Sequence, residues 1–413
     1  MFSAHADGSA GDGLSRGSPV IRAMPLRILL ISHHSRIVRG GAPLADLALA
    51  DALGSLGHQV QTIFFEEVLP EYVKATWRQL IFPWAVSLAQ LRCGPRRYDV
   101  IETTAGDAWL LAPLMGIPRS QNRPVLSVRT HGLEHRRVEF DRRRRKELGT
   151  HPGPLTRLYH YRFRLWEVAR DLRSADVAYF LNEEDADFAR SRLGIPPERI
   201  RIGFNGIASS LLEHEVPPPF STRVFRLIFV GAWSPLKGSD AVPRIVGDAF
   251  ALDPRFRLTC AGVQCAADEV LACFPRDLRD RISVVERYEQ NELPGLLEPH
   301  GVLLFPSPAE GASLALLEAM AAGLIPLTTP SGWARDHLRS GVNGYLIEPA
   351  DHGSYLETLR EIMLNPELAA SLSARARATV AGMSWKSVAR ERLATWAHLL
   401  EDRPAGPRDL GLT

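Results

Sequence analysis

Short apolar segments alternate with segments of helical periodicity along most of the chain. Six apolar segments precede a proline-rich stretch and six follow it; they span 26–32, 59–65, 99–104, 124–132, 176–182 and 199–206, and then 225–232, 255–262, 281–288, 301–307, 324–330 and 344–349. In the second half they are nearly continuous runs, which is typical of parallel strands covered on both faces. The pattern predicts an α/β fold of two Rossmann-like, doubly wound parallel sheets facing a cleft.

The proline-rich stretch EVPPPFSTR separates the two halves. Three successive prolines can neither continue a helix nor donate hydrogen bonds within a central strand, so the stretch predicts a linker. The first residues are rich in Gly, Ser, Ala and Asp and lack the apolar core of a secretory signal, which favours disorder. The predicted division is a disordered extension at 1–24, an N-terminal domain at 25–214, a linker at 215–224, a C-terminal domain at 225–383, a helix at 384–400 that packs back on the N-terminal domain, and a tail at 401–413.

The composition excludes several classes of protein. The chain has 413 residues, 45% of them hydrophobic and 23% charged, and its net charge of +2 gives no overall attraction to nucleic acid. No apolar run approaches the roughly 20 residues of a transmembrane helix, so we expect a cytoplasmic protein. The four cysteines show no zinc-ligand spacing, and the pair Asp185 and Asp187 falls at a predicted helix start. We therefore expect no metal site.

The segment PAEGASLALLEAMAAGLIP contains two carboxylates in an apolar setting. Glu318 has no charged neighbour at helical spacing, and Glu310 lies in a loop after a strand. A helix that begins near Ala312 would point its amino terminus at the cleft and offer the amides of Ser313 and Leu314 to an anion. The carboxylates would lie about 12 Å apart at 1.5 Å per residue, which suits two parts of one elongated ligand. The alternative is that Glu318 reaches solvent on an exposed helix face.

Two glycine-containing loops follow predicted strands. Gly40 and Gly41 stand just before a helix, where free amides and close backbone approach suit a phosphate. Lys237 and Gly238 are expected at another helix start, where an ammonium group and amides could meet a diphosphate. An ordinary tight turn in the first loop and a solvated surface lysine in the second remain the alternatives.

His131 lies at the carboxyl end of a predicted strand, in the sequence RTHGLEH. An imidazole at this edge of a parallel sheet could hydrogen-bond a substrate hydroxyl near a reacting centre. Taken alone, the residue is better explained as a structural histidine satisfied by a loop carbonyl.

The order of these motifs along the chain resembles that of the retaining GT-B glycosyltransferases of family four, the glycosyl transferases group 1. The motifs are the first glycine loop, His131 and the segments VGAWSPLKG, PSPAEGASLALLEAMAAG and SGVNGYLIEP. The resemblance covers the chain from about residue 25 to residue 400. It implies a GT-B fold whose first domain faces the acceptor and whose second binds a nucleotide sugar. The implied reaction moves a sugar to a glycan, lipid-linked or small-molecule acceptor with retention of configuration, without metal or other cofactor.

The resemblance also implies how the donor is held. Glu318 would bind the ribose hydroxyls of the nucleotide. Glu310 would hold the donor sugar, and the amides of Ser313 and Leu314 would hold the diphosphate. The two carboxylates would thus contact opposite ends of one donor molecule.

For the reaction itself, the resemblance makes His131 and Glu310 the catalytic candidates. Lys237 would neutralise the leaving diphosphate, and the loop of Gly40 and Gly41 would close over it. His131 would lie beside the transferred sugar. The implied mechanism is a front-face displacement in which the leaving phosphate accepts the proton of the acceptor hydroxyl.

Two positions depart from the pattern of the family. Ala232 stands where an arginine is usual, and Ala312 with Ser313 replaces Phe-Gly. The missing cation requires compensation, for which Arg36 and Arg39 are candidates, or else activity is weak. A non-catalytic carbohydrate-binding or scaffold protein and a nucleotide-sugar epimerase therefore remain alternatives.

A basic region extends from 129 to 173, with thirteen Arg or Lys residues against six Asp or Glu. It contains four aromatic residues that could lie at an interface: Tyr159, Tyr161, Phe163 and Trp166. One interpretation is a mobile loop and a solvated helix face. The other is a surface that meets anionic phospholipid or a pyrophosphate-linked acceptor, which predicts peripheral contact at the inner face of a membrane.

Overall fold

Each half of the chain builds one parallel sheet of six strands. The computed structural model describes residues 24–36, 40–70, 72–73, 75–94, 97–115, 123–213 and 219–402. The strands are β1 (Arg27–Ile31), β2 (Gln59–Ile63), β3 (Val100–Thr104), β4 (Val125–Arg129), β5 (Val177–Phe180), β6 (Ile200–Ile202), β7 (Arg226–Val230), β8 (Arg257–Ala261), β9 (Ile282–Val285), β10 (Val302–Phe305), β11 (Ile325–Thr328) and β12 (Tyr345–Leu346). Every strand falls within a segment predicted from the sequence, so the two doubly wound α/β sheets are confirmed.

Helices connect successive strands and cover both sheets. They are α1 (Gly41–Ser55), α2 (Phe65–Val68), α3 (Ala75–Cys93), α4 (Leu111–Leu114), α5 (Glu134–Glu147), α6 (Arg164–Ser174), α7 (Glu183–Arg192), α8 (Ser209–Leu212), α9 (Phe220–Arg223), α10 (Val242–Leu252), α11 (Ala267–Ala272), α12 (Leu293–Leu297), α13 (Leu314–Ala321), α14 (Gly332–His337), α15 (His352–Leu364), α16 (Pro366–Val380) and α17 (Trp385–Glu401). A π-helical segment, Thr156–Phe163, leads directly into α6. The start of α7 follows the sequence prediction, because the Asn182 side chain accepts a hydrogen bond from the amide of Asp185.

Burial on both faces stabilises the first sheet. Ile101 of β3 packs with Phe82 of α3 on one face, and Val100 of the same strand packs with Leu53 of α1 on the other. All four side chains are fully buried. Each such burial contributes roughly 1.5–3 kcal/mol, so the near-continuous apolar strands are the main source of the fold's stability.

The final helix, α17, packs against the first domain although it follows the second. Its Trp396, Val388 and Ala389 join Leu49 and Leu53 of α1 in one apolar cluster. The Ser384 side chain caps the helix by accepting a hydrogen bond from the amide of Ser387. The chain therefore crosses from the first domain to the second and returns at its end.

The predicted linker at 215–224 is wrong in its second half. Phe220 and Arg223 of α9 are buried against the second domain, and the Arg223 guanidinium donates to the carbonyl oxygens of His300, Ala322 and Gly323. The prolines break the periodic pattern, but the apolar anchor after them was overlooked. Residues 214–218 of that stretch, the extension at 1–23 and the tail from 403 lie outside the described residues.

The strand order places two pairs of loops at the cleft. The first sheet runs β2-β1-β3-β4-β5-β6 and the second β12-β11-β10-β7-β8-β9. All strands are parallel, but the order in which successive strands are added across the sheet reverses between β1 and β3 and between β7 and β10. In doubly wound sheets ligands bind at the carboxyl ends of the strands beside such reversals. The loops after β1, β7 and β10 carry the glycine pair, Lys237 and Glu310, respectively.

Candidate active site in the interdomain cleft

A cavity of about 280 Å³ lies between the two domains. Loops after strands of both sheets line it, including three predicted site residues: His131, Lys237 and Glu310. Additional cations and histidines on the wall from the first domain are His33, His34, Arg136, Arg137 and Arg164. The structure thus brings the two catalytic candidates and the predicted diphosphate lysine to one cavity.

Lys237 and Glu310 contact each other directly. The Lys237 Nζ donates to Glu310 Oε1 at 2.6 Å, and the Ser307 hydroxyl donates to the same oxygen at 2.6 Å. The Nζ also lies 5.7 Å from the centre of the Phe305 ring. The ion pair holds the ammonium group at the cavity wall, where it is available to an anionic ligand.

The predicted helix start at Lys237 is wrong. Pro235–Lys237 form a single 3₁₀ turn that ends at Gly238, and α10 begins only at Val242. Gly238 has φ +78°, and a Cβ at this position would come within 2.1 Å of the Pro306 carbonyl oxygen. The glycine therefore lets the Lys237 loop lie directly against the loop after β10, which is how Lys237 reaches Glu310.

The two domains meet at a pair of glycines. A Cβ on Gly311 would lie 2.9 Å from the Cα of Gly132, so the loop after β10 and the loop after β4 touch through backbone alone. Asn205 donates to the Ala312 carbonyl at 2.8 Å, and Asn182 donates to the Gly311 carbonyl at 3.3 Å. These contacts hold the cleft closed at the edge of the cavity.

His131 is held by a carboxylate rather than by a loop carbonyl. Its Nε2 lies 2.9 Å from Asp46 Oδ1, and the Arg129 guanidinium also contacts that oxygen at 2.7 Å. Burial by itself raises the pKa of Asp46, but the charge of Arg129 holds it well below its usual value. Burial lowers the pKa of His131, against the raising effect of Asp46. The lowered pKa favours the neutral form of His131, whose Nε2 lies beside the Asp46 carboxylate.

Asp46 belongs to a chain of buried charges that reaches the last helix. Arg129 donates to Glu102 at 2.9 Å, and the Arg392 guanidinium of α17 lies 4.0 Å from the same carboxylate. Arg392 also stacks on the Tyr179 ring at 3.1 Å. Alternating charges compensate one another in this chain, which makes burial of several ions tolerable.

A second buried charge cluster lies at the wall of the cavity. Arg164 donates to the carbonyls of Ala105 and Gly106, and its Nη2 lies 3.8 Å from Asp107 Oδ1. His33 Nδ1 lies 2.9 Å from Asp107. Burial raises the pKa of Asp107 to about 7, despite the opposing charge of Arg164. This cluster could not be predicted from the sequence, because its members lie on two loops and a helix that are far apart along the chain.

Glu318 is buried, so exposure on a helix face is excluded. Only 6% of its surface is exposed, and its one hydrogen bond within the described chain comes from the Gln290 amide at 2.7 Å. Burial raises the pKa of Glu318 to about 7, and the Gln290 contact offsets part of this rise. A carboxylate with one neutral partner retains lone pairs for further donors. Gln290 was not singled out from the sequence, since it lies in the loop after another strand.

The predicted phosphate-binding amides stand at two helix starts. Gly40 is the N-cap of α1, and a Cβ at Gly41 would meet no atom of the described chain within 4 Å. Packing therefore does not require a glycine there, and space for a ligand remains. Ser313 is the N-cap of α13 with no side-chain cap, and Leu314 is the first helical residue, two positions later than predicted. Neither pair lines the cavity, and Glu318 does not line it either.

Arg36 does not compensate for Ala232. Its guanidinium pairs with Glu67 at 2.9 Å, donates to Thr62 at 2.7 Å and stacks on the Phe64 ring. Arg36 is thus engaged at the end of β2 and does not line the cavity. Arg39, the other candidate, lies outside the described residues.

The basic region divides between interior and surface. Tyr159 and Tyr161 are buried, so the prediction that they lie at an interface is wrong, whereas Trp166 is 46% exposed. Arg129 and Arg164 are also buried and belong to the two charge clusters. The π-helical segment thus turns Tyr159 and Tyr161 toward the interior, while Trp166 of α6 remains partly exposed.

One group of side chains in the described chain has the spacing of a metal site. His34, Asp46 and His131 place one ligand atom each within 4.8 Å of one another. The Asp46 oxygen that faces His131 already contacts the Arg129 cation. A second cation there would be repelled, so the group fits an ion-pair network better than a metal. Asp185 accepts hydrogen bonds from Leu133 and Asn182 and serves as a structural anchor.

Two doubly wound domains that meet at a cleft with these loops define the GT-B class of fold. The solved structure of HepE from Anabaena in complex with UDP-glucose superimposes with a TM-score of 0.65 at 16% identity, covering 90% of this chain and all of that one. The predicted GT-B fold is therefore confirmed.

Sequence comparison relates the second half of the chain to a known family. Residues 214–379 match the sequence model of Glycosyl transferases group 1, the family that the motifs of this half resemble. A D-inositol 3-phosphate glycosyltransferase of Frankia alni is 30% identical over 186 residues, 42% of this chain and 45% of the relative. The protein of the same name from Thermobispora bispora is 25% identical over 332 residues, 74% and 72% of the two chains. The chain thus spans about half the length of the first relative and most of the second.

No helix in the described part of the chain has both the length and the hydrophobicity needed to cross a bilayer.

Proposed function

We propose that this protein is a glycosyltransferase that moves a sugar from a nucleotide-sugar donor to an acceptor held by the first domain. The observation that carries the proposal is the convergence of Lys237 and Glu310 of the second domain with His131 of the first on one cavity. The names of the relatives and the UDP-glucose in the structure of HepE support the same activity.

The donor would lie along the second domain. Glu318 would accept hydrogen bonds from the ribose hydroxyls, because a buried carboxylate with one neutral partner favours hydroxyl donors over water. The amides at Ser313 and Leu314 and the dipole of α13 would meet the diphosphate. Glu310 would then contact the sugar at the cavity.

Catalysis would rest on stabilising the leaving diphosphate. The Lys237 ammonium group lies at the cavity wall and would stabilise the negative charge that develops on the diphosphate as the bond to the sugar breaks, with the amides of α13 as further donors. The Gly40 and Gly41 loop would approach the diphosphate from the other domain. In the proposed reaction these groups would supply the charge stabilisation without a metal, and the leaving phosphate would accept the acceptor's proton in a front-face displacement with retention.

His131 would position the acceptor or the transferred sugar. Its Nε2 faces Asp46, so in the neutral ring the other nitrogen is left as an acceptor for a hydroxyl. A histidine with a lowered pKa suits hydrogen bonding better than general acid chemistry. The proposed acceptor is a glycan, a lipid-linked sugar or a small molecule, the three classes implied by the resemblance. The proposed location is the cytoplasm.

A donor screen tests the proposal. Thermal shifts with UDP-, GDP- and ADP-sugars should identify one stabilising donor, and a hydrolysis assay with that donor should release free sugar. Binding without turnover would instead favour a carbohydrate-binding scaffold, an alternative that the Ala232 position motivates. Interconversion of sugars without release would favour an epimerase, and a lack of any shift would overturn the donor site.

A further inference from the structure

One helix of the first domain turns an apolar stripe toward solvent. Its five members recur at alternating spacings of four and three residues along α3 and are between 37% and 53% exposed: Trp77, Ile81, Trp84, Leu88 and Leu91. Spacings of three and four residues place them on one face of the helix. The opposite face packs into the domain through Phe82 and Val86.

Helix α3 carries apolar side chains on both its inward and its outward face, whereas a surface helix of a globular domain normally has a polar outward face. No charged residue interrupts α3 between Arg78 and Arg92. The inward face even includes the buried polar side chains of Ser87 and Gln90. Two tryptophans and three aliphatic side chains have thus been left in solvent, where each costs free energy unless another surface covers it.

A second element extends the stripe into a patch. Trp109 contacts Trp84 at 5.6 Å and Trp166 at 5.0 Å between ring centres. Trp166 of α6 is 46% exposed, and Leu158, two helical turns before it, is 68% exposed. The exposed side chains of α3 and of the α6 region therefore form one continuous apolar surface, which we call the tryptophan patch.

Unpaired cations border the tryptophan patch. Arg162 and Arg170 lie one helical turn before and after Trp166, Arg157 precedes Leu158, and Arg92 follows the end of the stripe. All four are exposed, and none forms an ion pair with any part of the chain that the structure describes. A border of arginines around exposed tryptophans matches a surface that carries negative charge above an apolar layer.

The patch is next to the mouth of the active-site cavity. Gln79 of α3 lies between Trp77 and Ile81 in sequence and lines the cavity. Arg164 and Val168, on either side of Trp166, line it as well. The molecules of any surface that covered the patch would therefore lie close to the mouth of the cavity.

We propose that the tryptophan patch docks the first domain on an anionic phospholipid bilayer. A second copy of the chain fits less well, because a twofold contact through the patch would bring like charges of its arginine border together. An anionic bilayer neutralises the same border and covers the apolar side chains at the level of the headgroups. This inference does not rest on the proposed glycosyl transfer, and binding to vesicles is measured without any donor.

The test is sedimentation of the full chain with vesicles of phosphatidylcholine alone or mixed with phosphatidylglycerol. We expect binding to the mixed vesicles only, with a decrease as salt is raised. Trp84→Ser with Leu88→Ser should lower the partition coefficient about tenfold or more, since two half-exposed apolar side chains are withdrawn. Leu88→Ser with Leu91→Ser repeats the test without disturbing the Trp109 contact.

Matched controls lie on the second domain. Leu364 and Val342 are 65% and 43% exposed there, and changing both to Ser should leave sedimentation unchanged. Arg162→Gln with Arg170→Gln should weaken binding, whereas Arg244→Gln, at an exposed site on α10, should not.

Three results of the sedimentation assay would overturn the proposal. They are no binding to either vesicle, equal binding to both, and binding that survives the α3 variants. A dimer seen by light scattering that the same variants dissociate would assign the patch to a second copy. Circular dichroism shows whether each variant is folded, and any failure of donor binding in the earlier screen leaves these outcomes unaffected.

Discussion

The substitution Glu318→Gln should make the free protein more stable and its complex with a donor weaker. The folded pKa of Glu318 is about 7, against 4.5 for an unperturbed glutamate, because the carboxyl group is buried. A rise of roughly 2.5 units corresponds to about 3 kcal/mol, at 1.36 kcal/mol for each unit. Above pH 7, where the ionised form of Glu318 prevails, this cost lowers the free energy of unfolding. Glutamine cannot ionise, so the substitution removes the cost.

The direction of the pH effect follows from proton linkage. Unfolded, Glu318 loses its proton near pH 4.5, whereas folded it keeps the proton to about pH 7. The contribution of this group to the free energy of unfolding is therefore fully present at acidic pH and is lost as pH rises between these values. Urea unfolding should show a gain in the variant of up to about 3 kcal/mol at pH 8 and almost none at pH 4.

Donor binding should move in the opposite direction. An ionised carboxylate forms hydrogen bonds with hydroxyls worth roughly 1.5–3 kcal/mol each, so replacing it should raise Kd about tenfold or more at pH 8. Affinity of the unaltered protein should increase from pH 6 to pH 8 as Glu318 ionises, and affinity of the variant should stay flat. Calorimetric titration with the donor identified by thermal shift measures both.

The control is Glu391→Gln in α17. Burial also raises the pKa of Glu391, but this residue packs on the first domain, far along the chain from the proposed ribose site. Glu391→Gln should change how the free energy of unfolding depends on pH and should leave the Kd of the donor unchanged. A Glu318→Gln variant that is less stable at pH 8, or that binds the donor as tightly as before, would refute the reasoning.

Three further predictions concern the cleft. Lys237→Met should lower kcat/KM about a hundredfold through the loss of a charge-assisted contact with the leaving group. The control, Lys386→Met, should leave kcat/KM unchanged. If Lys237→Met has the same kcat/KM as the unaltered protein, Lys237 has no part in the mechanism. Gly311→Ala should force the cleft open, because the new Cβ would lie 2.9 Å from Gly132. Small-angle scattering should then show a larger radius of gyration. An unchanged radius would mean that the two loops adjust locally. Asp46→Asn should cost roughly 3 kcal/mol in urea unfolding, since it leaves a buried arginine with one partner fewer, and a loss below about 1 kcal/mol would mean that the ion pair contributes little.

The sequence was sufficient for the strands because their signal is local. An apolar run such as GVLLFPS, flanked by helical segments, predicts a buried parallel strand, and each of the predicted runs contains one. The absence of a charged partner for Glu318 was also visible in the sequence, since its helical neighbours are fixed by spacing alone. Its single partner, Gln290, was not visible, because strand pairing brings that loop to α13.

The surroundings of His131 could not be predicted for the same reason. Asp46 lies within a helix, where a carboxylate ordinarily faces solvent, and its contacts with Arg129 and His131 join segments that only the packing of α1 on the sheet brings together. The orientation of α3 was hidden in a different way. Apolar residues occur on both of its faces, so periodicity cannot decide which face is turned inward.

The return of α17 to the first domain affects how the protein can be made. Trp396 is fully buried in the first domain, yet the ribosome adds it after every residue of the second. The groove that α17 covers must therefore stay open, with its apolar lining exposed, throughout synthesis of the second domain. A fragment that ends at the domain boundary would keep this groove permanently, so the first domain should aggregate when expressed alone and recover when α17 is supplied in trans.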